Sequence, residues 1–314
     1  MTNSPTPDNL QIISHLFEQH CHNMSIAAVN PVDEHSLEVM RRCLEIGIGK
    51  LHLCIAGEPD EAVNLLAKDP RTQLHLCTDV DHAARCAVAL ARADEAQVIF
   101  KGSINTDNLL HAALNKEVGI LSPGAVMTHI TAAHIPAYHK LIIFSDAAVI
   151  PYPDCKQVEA IVGYGNALLK FMGVAKPKIA LIHFTEKSNP KFEITTTYAT
   201  VRTLAAQGFI GDAIVDGPMD VKTACDKQSA IIKHISGAVA GDADMLVFPD
   251  LEAANTFYKT ISLFGNATTA GIICGCRVPI VIPSRADSVE SKYMSLALAV
   301  VGQNAFSFIS KSNS

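Results

Sequence analysis

The sequence predicts an α/β protein with parallel sheets divided between two lobes, and three observations carry that prediction. Short apolar, β-branched runs alternate along the chain with longer segments of helical period, the rhythm of strands joined by crossover helices. More than eight such runs occur, which suggests two sheets rather than one. Near mid-chain, Pro151-Tyr152-Pro153-Asp154 breaks the pattern, because two prolines continue neither a strand nor a helix.

The runs that read as strands are Ser25–Val29, Leu51–Ile55, Leu74–Leu76, Val98–Phe100, Leu141–Phe144, Ile179–Phe184, Ala213–Val215, Met245–Phe248 and Pro279–Ile282. Between them lie helical stretches such as Glu34–Glu45, His82–Ala93 and Cys155–Met172. In the last of these, Val158, Ile161, Val162, Leu168 and Phe171 fall near one face. Gly173 stands where a left-handed C-terminal cap belongs. Strands alternating with helices in this way form parallel sheets covered on both faces.

Composition bounds the function. Of 314 residues, 49% are hydrophobic and 18% charged, which is enough apolar surface for a sizeable core and too much for disorder. A formal net charge of −6 argues against a nucleic-acid surface. The nine cysteines are odd in number and form no CxxC pair, the pattern of reduced thiols in a cytoplasmic protein. The opening MTNSPTPDNL is polar, and no apolar run is long enough to span a bilayer; neither a signal peptide nor a membrane partner is expected.

Ligands in such folds bind at the carboxyl ends of strands, so the segments that follow strands are the candidates. Phe100-Lys101-Gly102-Ser103-Ile104-Asn105-Thr106 offers a cation, backbone N–H groups and hydroxyls, either as an anion site or as a surface loop with Asp107 capping the next helix. Thr128-His129 follows Gly124 in a loop of small residues and offers two donors to phosphate or a carbonyl; a lone histidine is equally an ordinary residue. Val215-Asp216-Gly217-Pro218-Met219 reads first as a turn. After Phe248-Pro249-Asp250 comes a helix with Asn255 and Lys259 at i, i+4, on one face and able to act together, or simply solvated.

The segment Ile282-Pro283-Ser284-Arg285-Ala286-Asp287-Ser288-Val289-Glu290 is the most informative. A strand ends, a hydroxyl and a guanidinium follow, and a helix is expected to begin at Asp287, with Glu290 completing a capping box. Capping explains Asp287 and Glu290 but leaves Ser284 and Arg285 without a purpose. An anion site at the helix N-terminus supplies one. Several well-known signatures are absent: Gly163-Tyr164-Gly165 lacks a third glycine, Gly47-Ile48-Gly49-Lys50 precedes a strand, and no close set of carboxylates or histidines suggests a metal.

Taken in order, these segments resemble the phosphate acetyl/butyryltransferase family, from about residue 25 to residue 300, and resemble its butyryl branch more closely. The stretches that carry the resemblance are Lys101-Gly102…Thr106, 114–119, Thr128-His129, Ser145-Asp146-Ala147-Ala148, 186–190, Asp216-Gly217-Pro218 and Ser284–Asp287. The resemblance implies two lobes like those of isocitrate and isopropylmalate dehydrogenases, with the active site in the cleft between them. Lobe one would be 1–139 plus 270–314, and lobe two, inserted, 140–269. It also implies a reversible reaction, acyl-CoA plus phosphate giving acyl phosphate plus CoA. CoA and acyl-CoA are substrates there, no cofactor or metal is needed, and the chains commonly self-associate as homo-oligomers.

By the same resemblance, Ser284 and Arg285 act on the acyl phosphate, with Asp287 and Glu290 nearby. Lys101, Thr106, Thr128, His129, Asn255 and Lys259 would bind substrate and phosphate. Two positions depart from the acetyl branch. Its carboxylate seven residues after the serine is Ser291 here, and its arginine on the helix after the Tyr-Lys pair falls in Ile261-Ser262-Leu263. The second change suits a longer acyl chain and favours butyryl over acetyl. Three alternatives stay open: a phosphate acetyltransferase, a non-catalytic acyl-CoA sensor, and a metal-dependent hydroxyacid dehydrogenase on the related fold.

Overall fold

The structure, a computed structural model, describes residues 10–284 and 287–312, with the side chains of the last helix followed to residue 306. Contacts between Cα atoms divide the chain into two compact units. One comprises residues 12–127 and 270–304, and the other is built on 128–269.

The first unit opens with α1 (Gln11–His20), β1 (Ser25–Val29), α2 (Glu34–Ile46), β2 (Lys50–Ala56) and α3 (Glu61–Leu66). It continues through β3 (Thr72–Cys77), α4 (Val80–Arg92), β4 (Val98–Lys101) and α5 (Thr106–Ala113). Strands β1, β2, β3 and β4 pair in parallel, and β1 and β4 are buried along nearly their whole length, as a two-faced sheet requires. Asp33, Asp60 and Asp79 start α2, α3 and α4 by accepting from backbone N–H groups of Ser36, Val63 and His82.

The second unit runs through β5 (Thr128–His134), β6 (Ile142–Ser145), α6 (Cys155–Phe171), β7 (Lys178–Ile182), α7 (Glu193–Ala206), β8 (Ile214–Met219), α8 (Val221–Cys225), α9 (Lys227–Ile232), β9 (Met245–Val247) and α10 (Leu251–Phe264). Its strands lie in the order β5-β6-β9-β7-β8. Phe144 anchors the core there: it is fully buried, meets Phe257 edge-on at 5.2 Å between ring centroids, and packs near Phe248 at 6.3 Å. Burying one such ring contributes about 2–3 kcal/mol. The chain then returns through β10 (Thr268–Cys274), β11 (Ile280–Val281) and α11 (Val289–Ser312), with β11 parallel to β4.

Eight of the expected strands keep their places to within a few residues. Ala213–Val215 is the other: it extends as β8 to Met219, so the Gly217-Pro218 segment read as a turn is strand. Gly217 has φ +137°, and a Cβ there would sit 2.5 Å from the Leu181 carbonyl oxygen. The close approach needs glycine, and the pairing with β7 is irregular at that point. Two strands, β5 and β10, go beyond the sequence expectation. Both make antiparallel pairs, β5 with β6 and β10 with β11, and both mix threonine, small residues and, in β10, glycine. Such strands lack the apolar β-branched run that marks a buried parallel strand.

Antiparallel pairing also explains where the units divide. Thr131, Ala132 and Ala133 of β5 pair with Phe144, Ile143 and Ile142, so residues 128–139 cluster with the inserted unit rather than with the first. Pro151 lies well inside that unit. Among the described residues no helix is long and apolar enough to cross a membrane, and all nine cysteines are free.

Candidate active site

The residues singled out by sequence fall into two groups, one in each unit. In the first unit, parallel pairing puts Val29 beside Lys101, and Phe100 beside Val281. Three segments therefore leave the same end of the sheet: 30–33, 102–105 and 282–284. Lys101 is 5% exposed, with Nζ 3.5 Å from the Pro283 carbonyl oxygen, so its ammonium lies against the loop that bears Ser284. Gly102 permits the contact between the first two loops, since a Cβ there would meet the Asn30 oxygen and Pro31 Cα at 2.6 Å.

Ser284 is exposed. Its N–H donates to Asp287 Oδ2 at 2.8 Å, and its carbonyl accepts from Asp287 N at 3.1 Å, a tight local turn. This corrects the capping expectation. Helix α11 starts at Val289, and Ser288 Oγ accepts from Ser291 N at 3.2 Å, so Ser288 occupies the cap position and Asp287 shapes the Ser284 loop instead. Glu290 pairs with Arg42 at 3.2 Å. Arg285 lies outside the described residues. Thr106 is the first residue of α5, whose cap position is Asn105 rather than Asp107.

In the second unit, Thr128 and His129 begin a strand rather than sit in a loop. Thr128 is fully buried, and its Oγ1 donates to Asp146 Oδ2 at 2.8 Å. The same carboxylate, 3% exposed, accepts from the backbone N–H groups of His129, Ala148, Val149 and Ile150 at 2.9–3.3 Å. Burial pushes the half-buried His129 imidazole below its ordinary pKa, and the Asp146 charge opposes that. Asn255 donates from Nδ2 to the Ala147 carbonyl at 3.0 Å, holding the same loop. The exposed Lys259 lies 4.6 Å from the centre of the Tyr258 ring. The i, i+4 pair on α10 therefore does two separate things.

Comparison with known proteins gives the family. Residues 32–300 match the family described as phosphate acetyl/butaryl transferase. The chain belongs to this family. It is 33% identical over 280 residues to a phosphate butyryltransferase of Clostridium acetobutylicum, covering 88% of this chain and 92% of that one. It is 32% identical over 277 residues to a phosphate acetyltransferase of Rhizobium meliloti, covering 87% and 86%. Among solved structures, a branched-chain phosphotransacylase from Enterococcus faecalis superposes with a TM-score of 0.78 at 27% identity, covering 89% of this chain and 99% of the other. The protein is thus an acyltransferase of the phosphate acyltransferase family.

Within this acyltransferase, two roles escaped the sequence. One is that of Asp146, a residue of the stretches that carry the resemblance, which organises the Thr128 strand. The other is an ion pair buried on the lysine side: Lys292 is 4% exposed, and its Nζ lies 3.1 Å from Oδ1 of the half-exposed Asp33, while Ser103 Oγ donates to Asp33 Oδ2 at 3.2 Å. Lys292 and Lys101 are the buried lysines among the described residues. The pair ties the base of α11, and with it the Ser284 loop, to the loops after β1 and β4. A lysine in the first turn of a largely apolar helix was the available signal.

Burial pushes Asp33 up, but hydrogen bonds from Ser36 and Lys292 and the Lys292 charge outweigh it, lowering its pKa to about 2. The unfolded carboxyl titrates near 3.9, so this contribution to stability is complete above about pH 4 and fades as pH falls towards 2. Replacing Lys292 with methionine is expected to cost about 1–2 kcal/mol, since Asp33 keeps its other donors. Loosening the Ser284 loop should lower kcat/KM about tenfold. Lys292→Arg should retain most of both. Thermal unfolding and initial rates check this; equal losses in the two variants would show that charge at this position is irrelevant.

Proposed function

We propose that this chain catalyses acyl-CoA + phosphate = acyl phosphate + CoA on short acyl groups, with butyryl-type chains preferred to acetyl. The observation that carries the reading is the exposed Ser284 hydroxyl on a loop held between Asp287 and the buried Lys101, in a chain of this family. A phosphate oxygen attacks the thioester carbonyl, a C–O bond forms, and the C–S bond breaks to release the CoA thiolate, which then takes a proton. Negative charge gathers on the carbonyl oxygen and then on sulfur. Fixed donors aimed at those atoms stabilise the transition state more than the ground state.

Ser284 is the donor to the developing charge, and Arg285 neutralises the phosphate. Lys101 lends a positive field from below the loop. Thr106, Thr128, His129, Asn255 and Lys259 are assigned to substrate binding, Thr128 and Asn255 by shaping the 128–150 region rather than by free donors. In the reverse direction the CoA thiol must lose its proton. With serine at position 291, Asp287 and Glu290 are the carboxylates nearest in sequence, and Asp287 Oδ2 is the one that reaches the Ser284 backbone.

The preference for longer chains rests on the end of α10. There Leu263 and Phe264 are 70% and 78% exposed, an apolar surface where the resemblance to the acetyl branch leads one to expect arginine; Ile261 beside them belongs to the core. The test is thiol release from acetyl-, propionyl- and butyryl-CoA with and without phosphate. Phosphate-dependent release with the highest kcat/KM for butyryl-CoA is expected. A clear preference for acetyl-CoA would overturn the chain-length assignment, and release without any need for phosphate would overturn the reaction.

A further inference from the structure

Three cysteines of the first unit meet on one face of its sheet. The pairing of β2 with β3 sets Cys54 beside His75 and Ala56 beside Cys77. Alternate residues of a strand share a face, so Cys54 and Cys77 project to the same side. The 2.9 Å contact between His52 Nδ1 and His75 Nε2 marks that face one step further back along the strands. Helix α4 covers it and brings Cys86 within hydrogen-bonding reach of both thiols. We propose that Cys86 and Cys77 form a modification site, a thiol pair that a hydroperoxide converts to a disulfide, with Cys86 oxidised first and Cys77 closing the bond. The inference goes beyond acyl transfer and does not rest on it.

Access and charge single out Cys86. It is partly exposed, whereas Cys54 is fully buried and Cys77 is 6% exposed. The Cys54 thiol donates to the Cys86 sulfur and, against the opposing effect of burial, a second bond from Cys77 helps to hold the Cys86 pKa below the ordinary thiol value. The same bond to Cys86, together with burial, pushes Cys54 far up. Burial raises Cys77 to about 11, the Cys86 charge adds to this, and Asp79 and Arg85 act on it in opposite senses. A thiolate is the form that attacks a peroxide, so the reactive sulfur is the one that two neighbours stabilise and that solvent reaches. Cys21 and Cys43 are the contrast: both are fully buried, and burial raises both.

Strand position decides the partner. Cys54 lies inside β2, which is paired on both sides, with Val29 of β1 and His75 of β3 beside it. Cys77 is the last residue of β3, the edge strand, and Thr78 and Asp79 alone separate it from α4. Its Sγ lies 3.7 Å from the His75 carbonyl oxygen, a bond easily given up. Backbone at a strand end can adjust to the separation a disulfide needs, where a central strand held from both sides cannot. The Cys86 thiolate attacks one peroxide oxygen, the O–O bond breaks, and Cys86 becomes a sulfenic acid while the departing oxygen takes a proton as water or alcohol. The Cys77 sulfur then attacks that of Cys86, the S–S bond forms, and hydroxide leaves as water with the Cys77 proton. The two thiols give up two electrons and two protons, and the hydroperoxide takes the same two electrons.

Peptide mapping of the full chain after exposure to a small excess of hydrogen peroxide at neutral pH tests this, with remaining thiols alkylated after denaturation. Trypsin cuts after Arg85 and so separates the two cysteines into peptides 72–85 and 86–92, while Cys54 falls in 51–68. The expected product is 72–85 linked to 86–92, returned to two free peptides by dithiothreitol. Cys86 should be oxidised at least about tenfold faster than Cys21 or Cys43. Cys77→Ser should stop at the sulfenic acid, which dimedone traps on 86–92, and Cys86→Ser should leave Cys77 open to alkylation. A link between 51–68 and 86–92 would make Cys54 the partner, and equal rates for Cys86 and the two buried thiols would deny the site any special reactivity; either result overturns the assignment. The map of the wild type decides it even where a serine variant fails to fold.

Discussion

Ser284→Ala is expected to lower the rate of phosphate-dependent thiol release by about 10²–10³, the effect of removing a single donor to a developing oxyanion, or about 3 kcal/mol. Ser284 is exposed, and its backbone, which holds the loop through Asp287, is untouched by the change. The melting temperature should therefore stay within about 1 °C of the wild type, as surface substitutions usually do. On the proposed role, in which the hydroxyl acts on charge that exists only in the transition state, kcat should carry the loss and KM for butyryl-CoA should move little. Initial rates over a range of thioester concentration separate the two. A variant with kcat within about threefold of wild type would remove Ser284 from the reaction, and a loss seen wholly in KM would make it a binding residue.

Asp146→Ala should destabilise the fold more than Lys292→Met or Ser284→Ala does. One carboxylate satisfies the Thr128 hydroxyl and four backbone N–H groups, at His129, Ala148, Val149 and Ile150. Truncation leaves those donors without their acceptor in a site that is 3% exposed. Hydrogen bonds to a charged group contribute about 1.5–3 kcal/mol each, but some N–H groups will recruit water once the side chain is gone, so a net cost of about 4 kcal/mol is expected. For a protein of this size that corresponds to a fall in Tm of roughly 8 °C. Asp146→Asn keeps one carbonyl acceptor and should lose about half as much. Calorimetric unfolding of the three proteins at neutral pH measures both steps. Equal stability of Asp146→Ala and wild type would mean that these bonds do no more than replace those made with water.

Much of the candidate site is legible in the sequence. The segments Lys101–Thr106 and Pro283–Glu290 read as strand exits, and the pairing of β4 with β11 brings them side by side. Their legibility follows from local physics: apolar runs end where polar, capping and turn residues begin. Legibility fails where a residue's role depends on a distant or competing partner. Asp287 and Glu290 spell a capping box, yet Asp287 bonds back to Ser284 and Ser288 holds the cap position. Asn255 and Lys259 share a helix face, yet one reaches the Ala147 carbonyl and the other lies over Tyr258. Thr128 and His129 read as loop residues because a strand rich in threonine, alanine and histidine carries no run of β-branched residues to announce it.

By itself the sequence determined the α/β class, most of the strands, the strand-end segments and the family. Each of these follows from hydrophobic period, turn chemistry or the order of short motifs, which are properties of neighbouring residues. Tertiary structure alone decided the antiparallel placement of β5 and β10, and with it the division of the chain at residue 128. It also decided that Asp146 organises the Thr128 strand, and that Lys292 meets Asp33 across 259 positions of chain. A buried charge declares its purpose only through the partner that folding brings to it, and no local pattern encodes that partner.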